Sequence, residues 1–162
     1  MTGSERRRLV VGRDGQGRSA VTRSDVPGAR VVRPNGAVVE EIWRQETLPA
    51  RAGDDGTRTG EMAPLPPPGG VSVRRFTLPP DDPAGGVLPL GRTPSFYLIT
   101  AVSGRAYLVL EAGEALLEPG DCVVLPGSPH TWRNPFGEPA VLVSTVLPLA
   151  EPLGDGDPAV DR

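Results

Sequence analysis

The chain contains one histidine, His130, and this residue is its clearest candidate for acid–base chemistry. An imidazole has an unperturbed pKa near 6.5, so it can accept or donate a proton at neutral pH. His130 lies in EPGDCVVLPGSPHTWRN (residues 118–134), where an apolar run ends at Pro126-Gly127 and a second run begins at the histidine. This pattern predicts a strand, a sharp turn and a second strand.

The residues after the turn alternate, and this alternation sets which side chains share a face. On a strand, His130, Trp132 and Asn134 point to one side. If that side faces inward, the imidazole enters a pocket and Trp132 forms a wall of the pocket or core. Asn134 is expected to close a turn through its side chain. The alternative for His130 is a core histidine bonded to a backbone carbonyl or to Tyr97.

Length and composition favour one all-β domain. A chain of 162 residues fits a single domain that can bury a real core. Glycine (21 residues) and proline (20 residues) together make about a quarter of the chain, which indicates many tight turns. Because periodic apolar runs lie between those turns, the pattern predicts short strands in a barrel or sandwich.

Charge and cysteine content exclude several classes of function. The net charge of −3 argues against a nucleic-acid partner, and the arginine clusters at 6–8 and 74–75 are expected to be solvated edges. The single cysteine cannot form an intramolecular disulfide, and no apolar run is long enough for a membrane span or a secretory signal. We expect a cytoplasmic protein without a membrane partner.

Short apolar runs mark the strands that would position these residues. They lie at 7–12, 19–23, 30–33, 37–43, 71–78, 95–102, 105–111, 122–125 and 140–147. Residues 46–70 are rich in Gly, Pro, Asp and Thr without an apolar period. They are predicted to form a surface loop or partly disordered link, with a lid over a barrel mouth as the alternative. Ser103-Gly104 is predicted to form a two-residue hairpin turn.

The spacing around His130 resembles a known motif. In this segment Gly120 is followed after five residues by Pro126-Gly127, then after two residues by His130, and after three more by Asn134. This spacing is similar to the second conserved motif of the cupin superfamily, with a turn one residue shorter than usual. The stretch GRTPSFYLITAVSG (91–104) and the following RAYLVLEAGEALLEPGD resemble the first motif and connecting hairpin of small single-domain cupins. This resemblance implies a cupin-type double-stranded β-helix, a jelly-roll barrel, with extra N-terminal strands.

The resemblance also implies how the chain is divided. We expect one cupin domain at 1–150, with N-terminal strands at 1–45, the loop at 46–70 and the barrel core at 71–148. An acidic tail follows at 151–162. Because both N-terminal hairpins resemble strands that small cupins add to the barrel or lend to a dimer partner, a homodimer is expected.

Cupins normally hold a metal ion with two histidines and a glutamate from the first motif and one histidine from the second. The first-motif positions are occupied here by Tyr97 at the glutamate, and by Leu90 and Arg92, or Pro89 and Gly91, at the histidines. A catalytic metal needs about three protein ligands, so we expect no metal and no cofactor. Cys122 is expected to be a small buried hydrophobe.

If Tyr97 takes the inward glutamate position, strand alternation also sends Ile99 and Ala101 inward. Pairing across Ser103-Gly104 would then place three further side chains on the same face and leave Tyr107 outside. Those three are Ala106, Leu108 and Leu110. The predicted cavity is apolar with few polar groups, which is typical of a site for a small organic molecule.

These residues lead to a functional hypothesis. His130 and Tyr97 are predicted to be catalytic, the first as a proton carrier and the second as a donor to a developing oxyanion. The predicted substrate-binding residues are Arg92, Trp132, Ile99 and Leu108, with Arg92 suited to a carboxylate. We expect a metal-independent isomerase, dehydratase or cyclase, with secondary metabolism as a candidate setting. The alternatives are a non-catalytic ligand-binding or regulatory cupin, and a metal-dependent oxygenase or isomerase with atypical ligands.

Overall fold

The computed structural model describes residues 6–151, which form strands, turns and loops without a helix. No helix in this range could therefore cross a membrane. The strands are β1 (Arg8–Arg13), β2 (Ser19–Asp25), β3 (Gly28–Val32), β4 (Val38–Gln45), β5 (Thr59–Glu61), β6 (Val71–Leu78), β7 (Ser95–Ser103), β8 (Ala106–Leu110), β9 (Gly113–Leu117), β10 (Cys122–Pro126), β11 (His130–Arg133) and β12 (Ala140–Pro148).

Two sheets enclose the core. A seven-stranded sheet has the order β10-β7-β12-β6-β4-β3-β5, and a three-stranded sheet has the order β11-β8-β9. One cluster of buried side chains draws on both sheets: Ile99, Ala101, Leu108, Leu117, Leu125 and Leu142. Since both sheets contribute their apolar faces to one cluster, they face each other as the walls of a barrel.

Strand alternation decides the inner face of β7. Ile99 and Ala101 are buried, whereas Leu98 and Val102 are 44% and 51% exposed. β7 lies between β10 and β12 and pairs antiparallel with both. The predicted inward direction of Ile99 and Ala101 is therefore confirmed, and Tyr97 packs against the same core cluster.

The predicted hairpin across Ser103-Gly104 is wrong. β7 pairs with β10 and β12, while β8 pairs with β9 and β11, so this turn carries the chain from one sheet to the other. Gly104 has φ +68°, and a Cβ there would overlap the Pro139 carbonyl. Ala106 and Leu108 still face the interior: Leu108 clusters with Ile99 and Ala101 of β7, and Ala106 clusters with Leu78 and Ala140.

The outer side of β8 behaves as predicted. The Tyr107 ring stacks on Phe136 at a centroid distance of 5.8 Å, and the Arg133 guanidinium covers the Tyr107 ring at 4.6 Å. Neither core cluster includes Tyr107.

Both predicted N-terminal hairpins are present. β1 pairs with β2, and β3 pairs with β4 across the turn at Pro34–Gly36. β3 and β4 extend the seven-stranded sheet, whereas β1 and β2 form a sheet of their own. The predicted acidic tail lies outside the described residues except for Glu151.

The segment 46–70 contains more structure than its composition indicates. Thr59–Glu61 forms β5, which pairs parallel with β3, and Met62 and Pro67 are buried. Thr47 and Gly69 also form a bridge that brings the two ends of the segment together. The prediction of a plain loop is therefore wrong for these residues, whose short sequence TGE carries no strand pattern.

Cys122 is exposed, so its predicted burial is wrong. β10 is an edge strand of the large sheet, and its alternation turns Leu125 inward and Val124 outward. Cys122 lies on the outward side with Val124. An apolar run alone does not reveal which of its two faces is covered.

Candidate functional site

His130 is placed by a corner between the two sheets. It is the first residue of β11. Since β10 belongs to the seven-stranded sheet and β11 to the three-stranded sheet, the chain passes from one sheet to the other at Pro126-Gly127. Gly127 has φ +71°, which favours glycine there. The His130 backbone is fixed on its other side by Gly91, with two N–H···O bonds of 2.9 Å.

The imidazole lies among aromatic rings in the barrel interior. Its centroid is 6.1 Å from the Tyr97 ring and 6.2 Å from the Trp132 ring, both in edge-on geometry. Trp132 packs in turn against the core clusters. The predicted sharing of one inward face by His130 and Trp132 is thus confirmed.

Burial and one hydrogen bond set the chemistry of His130. Its Nδ1 lies 2.9 Å from the Ser128 carbonyl oxygen, and because a carbonyl can only accept, Nδ1 carries the proton. Burial lowers the pKa of His130, and the Ser128 bond opposes that shift. The neutral ring therefore retains a lone pair on Nε2, which can accept a proton.

Tyr97 brings a hydroxyl to the same end of the barrel. Its oxygen lies 2.8 Å from Thr93 Oγ1, and either group can be the donor. When Thr93 donates to Tyr97, the phenol proton is free for a ligand oxygen. The pair His130 and Tyr97 is therefore brought together as the sequence predicts.

The interior also contains a buried charged cluster that sequence reasoning missed. Arg74 is only 4% exposed, and its Nε donates to Ser72 Oγ at 2.9 Å. Ser72 Oγ donates to Glu41 Oε2 at 2.5 Å, and Arg44 adds a longer ion pair to Glu41 at 3.5 Å. Burial lowers the pKa of Arg74, while Tyr97 and Glu41 oppose that shift.

The predicted solvated edges at 6–8 and 74–75 are therefore wrong for Arg8 and Arg74, which are buried. Arg8 is paired with Asp25. The missed signal for Arg74 is the period of two along β6, which puts Ser72, Arg74 and Leu78 on the buried face.

Segment 46–70 closes over this charged cluster. Arg74 Nη1 donates to the Pro64 carbonyl at 3.0 Å, and Arg74 Nη2 donates to the Ala63 carbonyl at 3.1 Å. The neighbouring side chains Met62 and Pro67 are buried. The segment thus supplies the hydrogen-bond acceptors that a buried guanidinium requires.

Arg92 is buried without the partners that Arg74 has. It is 5% exposed, and its Nε and Nη1 have no hydrogen-bond partner among residues 6–151. It directly follows Gly91, whose backbone pairs with His130. Arg92 therefore lies in the chain segment that leads from the His130 bridge into β7.

The other predicted binding residues have different surroundings. Ile99 and Leu108 are 6% and 4% exposed and lie within the core cluster, so they form its packing. Trp132 also lines a cavity of about 310 Å³, together with Leu78 and the loop residues 79–82 and 85–88. The lining of this cavity does not include His130, Tyr97 or Arg92.

Asn134 has the structural role that the sequence predicts. It is fully buried, its Oδ1 accepts from the Phe136 N–H at 3.0 Å, and its Nδ2 donates to the carbonyls of Leu78 and Glu138. These bonds close the turn after β11 and leave no side-chain group for a ligand.

The donor set does not fit the metal ion of a typical cupin. Among residues 6–151, no three His, Cys, Asp or Glu side chains form a group that could hold a metal. The ring beside His130 is the phenol of Tyr97, and the buried carboxylate of Glu41 is bonded to Ser72. Metal centres in proteins instead use three or four imidazole, thiolate or carboxylate ligands.

No protein-family model matches the sequence, and no curated protein matches it significantly. Similar solved structures include ethanolamine utilization protein Q of Salmonella typhimurium LT2, at 9% identity over 90% of this chain and 98% of that chain, with a TM-score of 0.52. A Cupin 2 conserved barrel domain protein from Salinispora arenicola matches at 19% identity over 74% and 81%, with a TM-score of 0.48. The polyketide cyclase RemF from Streptomyces resistomycificus matches at 16% identity over 78% and 71%, with a TM-score of 0.48.

At these identities the likeness concerns the fold alone. Two facing sheets enclose one core, and their strands pair antiparallel except for β3 and β5. The chain crosses between these sheets at Ser103-Gly104 and at Pro126-Gly127. This arrangement, the order of the motifs and the structural likeness together show that the chain has the fold of the small cupins, a cupin-type β-barrel.

Proposed function

We propose that the protein is a metal-independent enzyme that moves a proton on a small organic molecule, as an isomerase, dehydratase or cyclase does. The observation that carries this proposal is the half-buried His130, whose Nδ1 donates to the Ser128 carbonyl at 2.9 Å. Because burial lowers the pKa of the ring, Nε2 is a free base at neutral pH. A base in an apolar enclosure beside a hydroxyl is suited to proton abstraction.

The proposed reaction begins at a carbon next to a carbonyl group of the substrate. His130 Nε2 takes a proton from that carbon, and the electron pair moves onto the carbonyl oxygen. Tyr97 donates its hydroxyl proton in a hydrogen bond to this oxygen, while Thr93 Oγ1, 2.8 Å away, supports the phenol. The imidazolium then returns its proton to another carbon in an isomerisation, or to a leaving hydroxyl in a dehydration.

The binding roles follow from the positions of the remaining residues. Trp132 provides an apolar surface 6.2 Å from the His130 ring. Ile99 and Leu108 support that surface from the core, and Arg92 brings a buried positive charge to the same end of the barrel. A partner of this site is a small organic molecule with one apolar and one polar part.

Proton transfer can be tested before the substrate is known. Deuterium exchange into the α-position of a panel of enolisable carbonyl compounds, followed by proton NMR in D₂O, reports a functional base. We expect exchange by the wild type and a loss of about 10²–10⁴-fold in His130→Gln. Arg51→Gln, an exposed position, serves as the control. Unchanged exchange in His130→Gln would contradict the proposal.

The metal-independent part of the proposal has its own measurement. Elemental mass spectrometry on protein purified without chelators is expected to find no stoichiometric transition metal. About one ion per chain would overturn this part and favour a site with atypical ligands.

A non-catalytic ligand-binding barrel is the second candidate. The observation that favours it is that His130 and Tyr97 already have protein hydrogen-bond partners, as core residues would. This candidate predicts saturable binding of a small molecule without product after long incubation. Exchange that depends on His130 would exclude it.

We also propose that two copies of the chain associate. The outer face of β7 and β10 exposes Leu98, Val102 and Val124 by 44%, 51% and 63%. Val124 lies directly opposite Leu98, so these side chains form one apolar strip on an edge of the sheet. Val124→Glu is expected to convert a dimer to a monomer in light scattering, and a monomeric wild type would overturn the proposal.

A further inference from the structure

Three arginine side chains are buried in the described part of the chain, and two of them have protein partners at every nitrogen. Arg8 donates to both carboxylate oxygens of Asp25, at 2.9 and 2.6 Å, and to the Ile42 carbonyl at 2.7 Å. Arg74 donates to a serine hydroxyl and two carbonyls. Both follow the general rule that a buried charge is paired or hydrogen-bonded.

Arg92 is the exception. It is 5% exposed, yet neither Nε nor Nη1 has a partner among residues 6–151. In the same range the only other buried side-chain nitrogen or oxygen without a hydrogen-bond partner is the hydroxyl oxygen of Ser95, a residue that is 0% exposed. The three unpartnered atoms thus fall within four consecutive residues, so they mark one place in the fold.

This place lies at the His130 end of the barrel. Gly91, before Arg92, pairs with the His130 backbone, and Ser95, after it, begins β7. Between them, Thr93 Oγ1 contacts the Tyr97 hydroxyl. We name residues 92–95 the Arg92 corner. The Arg92 corner leads from the Gly91 bridge with His130 to the start of β7, and it lies beside His130 and Tyr97, the two residues of the proposed proton transfer.

Unpartnered nitrogens on a buried guanidinium are energetically unfavourable. A buried cation loses its hydration, and no carboxylate or carbonyl of the described chain replaces it at Nε and Nη1. Guanidinium nitrogens form a planar fork that matches the two oxygens of a carboxylate, and a serine hydroxyl can donate one further bond. A single cation balances a single negative charge.

We propose that the Arg92 corner binds the carboxylate of a small organic acid, so that the ligand of this barrel is a monocarboxylate. The inference rests on the proposed function and names the substrate class of that site. The carboxylate is anchored by Arg92 and Ser95, and the remainder of the molecule extends toward His130 and Tyr97. The anchored group does not react, but its binding positions the carbon that loses a proton.

The first test uses acetate, benzoate and inorganic phosphate as probes, with thermal unfolding and calorimetry as readouts. At about ten times Kd, a carboxylate is expected to raise the Tm of the wild type by about 3–6 °C. Arg92→Gln should lose this shift, and Ser95→Ala should reduce it. Arg51→Gln, which removes the same charge at an exposed position, should retain it.

Three results would overturn the proposal: no shift of the wild type with either carboxylate, an equal shift in Arg92→Gln, or a larger shift with phosphate than with the carboxylates. The last result would identify a phosphate site instead.

A second pair of variants needs no ligand. In a buffer without carboxylates, Arg92→Met should unfold at a higher temperature than the wild type, because it replaces an unpaired buried charge by an apolar chain of similar length. Arg74→Met should unfold at a lower temperature, since it leaves the carbonyls of Ala63 and Pro64 without their donor and removes the cation that Ser72 links to Glu41. A lower Tm for Arg92→Met would show that Arg92 is structural and would overturn the proposal.

His130→Gln separates this inference from the proposed function. It should keep the carboxylate-dependent rise in Tm, because the anchor does not include His130, while it loses deuterium exchange. If the carboxylate shift is present and exchange is absent in the wild type, the anchor is supported and the enzyme proposal fails. If exchange depends on His130 but no carboxylate binds, the anchor is overturned and the enzyme proposal stands.

Discussion

The two ends of the barrel interior are built from the same strands but contain different chemistry. At one end, Ala37, Leu78, Ala106 and Ala140 form a fully buried apolar cluster against Phe76 and Trp132. At the other end are Glu41, Ser72, Arg74, Ser95, Tyr97 and His130. β6 supplies both ends: Ser72 and Arg74 face the polar one, and Leu78 faces the apolar one.

The two ends are therefore stabilised in different ways. Apolar burial is non-directional and contributes about 25 cal/mol per Å². The polar end requires a correctly placed partner for each group, because an unpaired buried polar group destabilises the fold. Segment 46–70 supplies two of these partners, the carbonyls of Ala63 and Pro64. A buried polar cluster in an otherwise apolar interior departs from the rules of stable packing, and function is expected at such a place.

The apolar end should give the largest effect on stability. Leu78 is 1% exposed, and Leu78→Ala removes its packing and leaves a cavity, which costs about 3–5 kcal/mol of unfolding free energy. Urea denaturation measures this loss, with Leu9→Ala, at a position that is 49% exposed, as the matched control. The carboxylate-dependent rise in Tm should remain. Its disappearance would show that the two ends are coupled.

At the polar end, the charge of Glu41 is the most informative to remove. Glu41→Gln keeps an acceptor for Ser72 but loses the charge beside Arg44 and Arg74, so we expect a loss of about 1–3 kcal/mol in the same denaturation experiment. Glu40→Gln is the matched control on the other face of β4, where Glu40 pairs with Arg75 at 3.2 Å. Equal effects at both positions would contradict the distinction between the inner and outer faces.

Tyr97→Phe should separate stability from activity. Removing the hydroxyl breaks one bond, to Thr93, and costs about 0.5–1.5 kcal/mol of unfolding free energy. The same change should lower deuterium exchange by about 10²-fold, because the developing oxyanion loses its donor. A Tyr97→Phe variant with reduced stability and full deuterium exchange would show that the hydroxyl stabilises the fold and does not take part in proton transfer.

The smallest effect concerns pH. Burial lowers the pKa of His130, so below the ordinary value near 6.5 the unfolded chain binds a proton more readily than the folded one. The contribution of His130 to stability is therefore fully present above that pH and is lost as pH falls through the folded pKa. Denaturation between pH 5 and 8 should show this loss, and His130→Gln should remove it. A wild type that gains stability toward pH 5 would contradict the prediction.

Much of the barrel could be predicted from short-range patterns. The alternation in β7 indicated that Ile99 and Ala101 face inward, and the Pro126-Gly127 break placed His130 at the start of a strand. Such patterns depend only on backbone geometry and on the side-chain period of two. The division of the chain into one domain, the cytoplasmic location and the roles of the site residues remain predictions.

Other features depended on partners that are distant in the sequence. The turn at Ser103-Gly104 joins two sheets rather than two paired strands, because β7 is already hydrogen-bonded to β10 on one side and to β12 on the other. Cys122 is exposed because nothing covers the outer face of its edge strand among residues 6–151. Local composition does not encode such long-range pairing.

The sequence by itself determined most of the strands, though not β5, and it determined the inward face of β7 and the place of the only histidine at the start of a strand. Only the tertiary structure decided that Nη1 and Nη2 of Arg74 donate to carbonyls of segment 46–70, whereas Nε and Nη1 of Arg92 are buried beside the His130 bridge without partners. The physical reason is that residue type sets what a guanidinium can bind. The acceptors that reach it are brought by chain segments far away in the sequence.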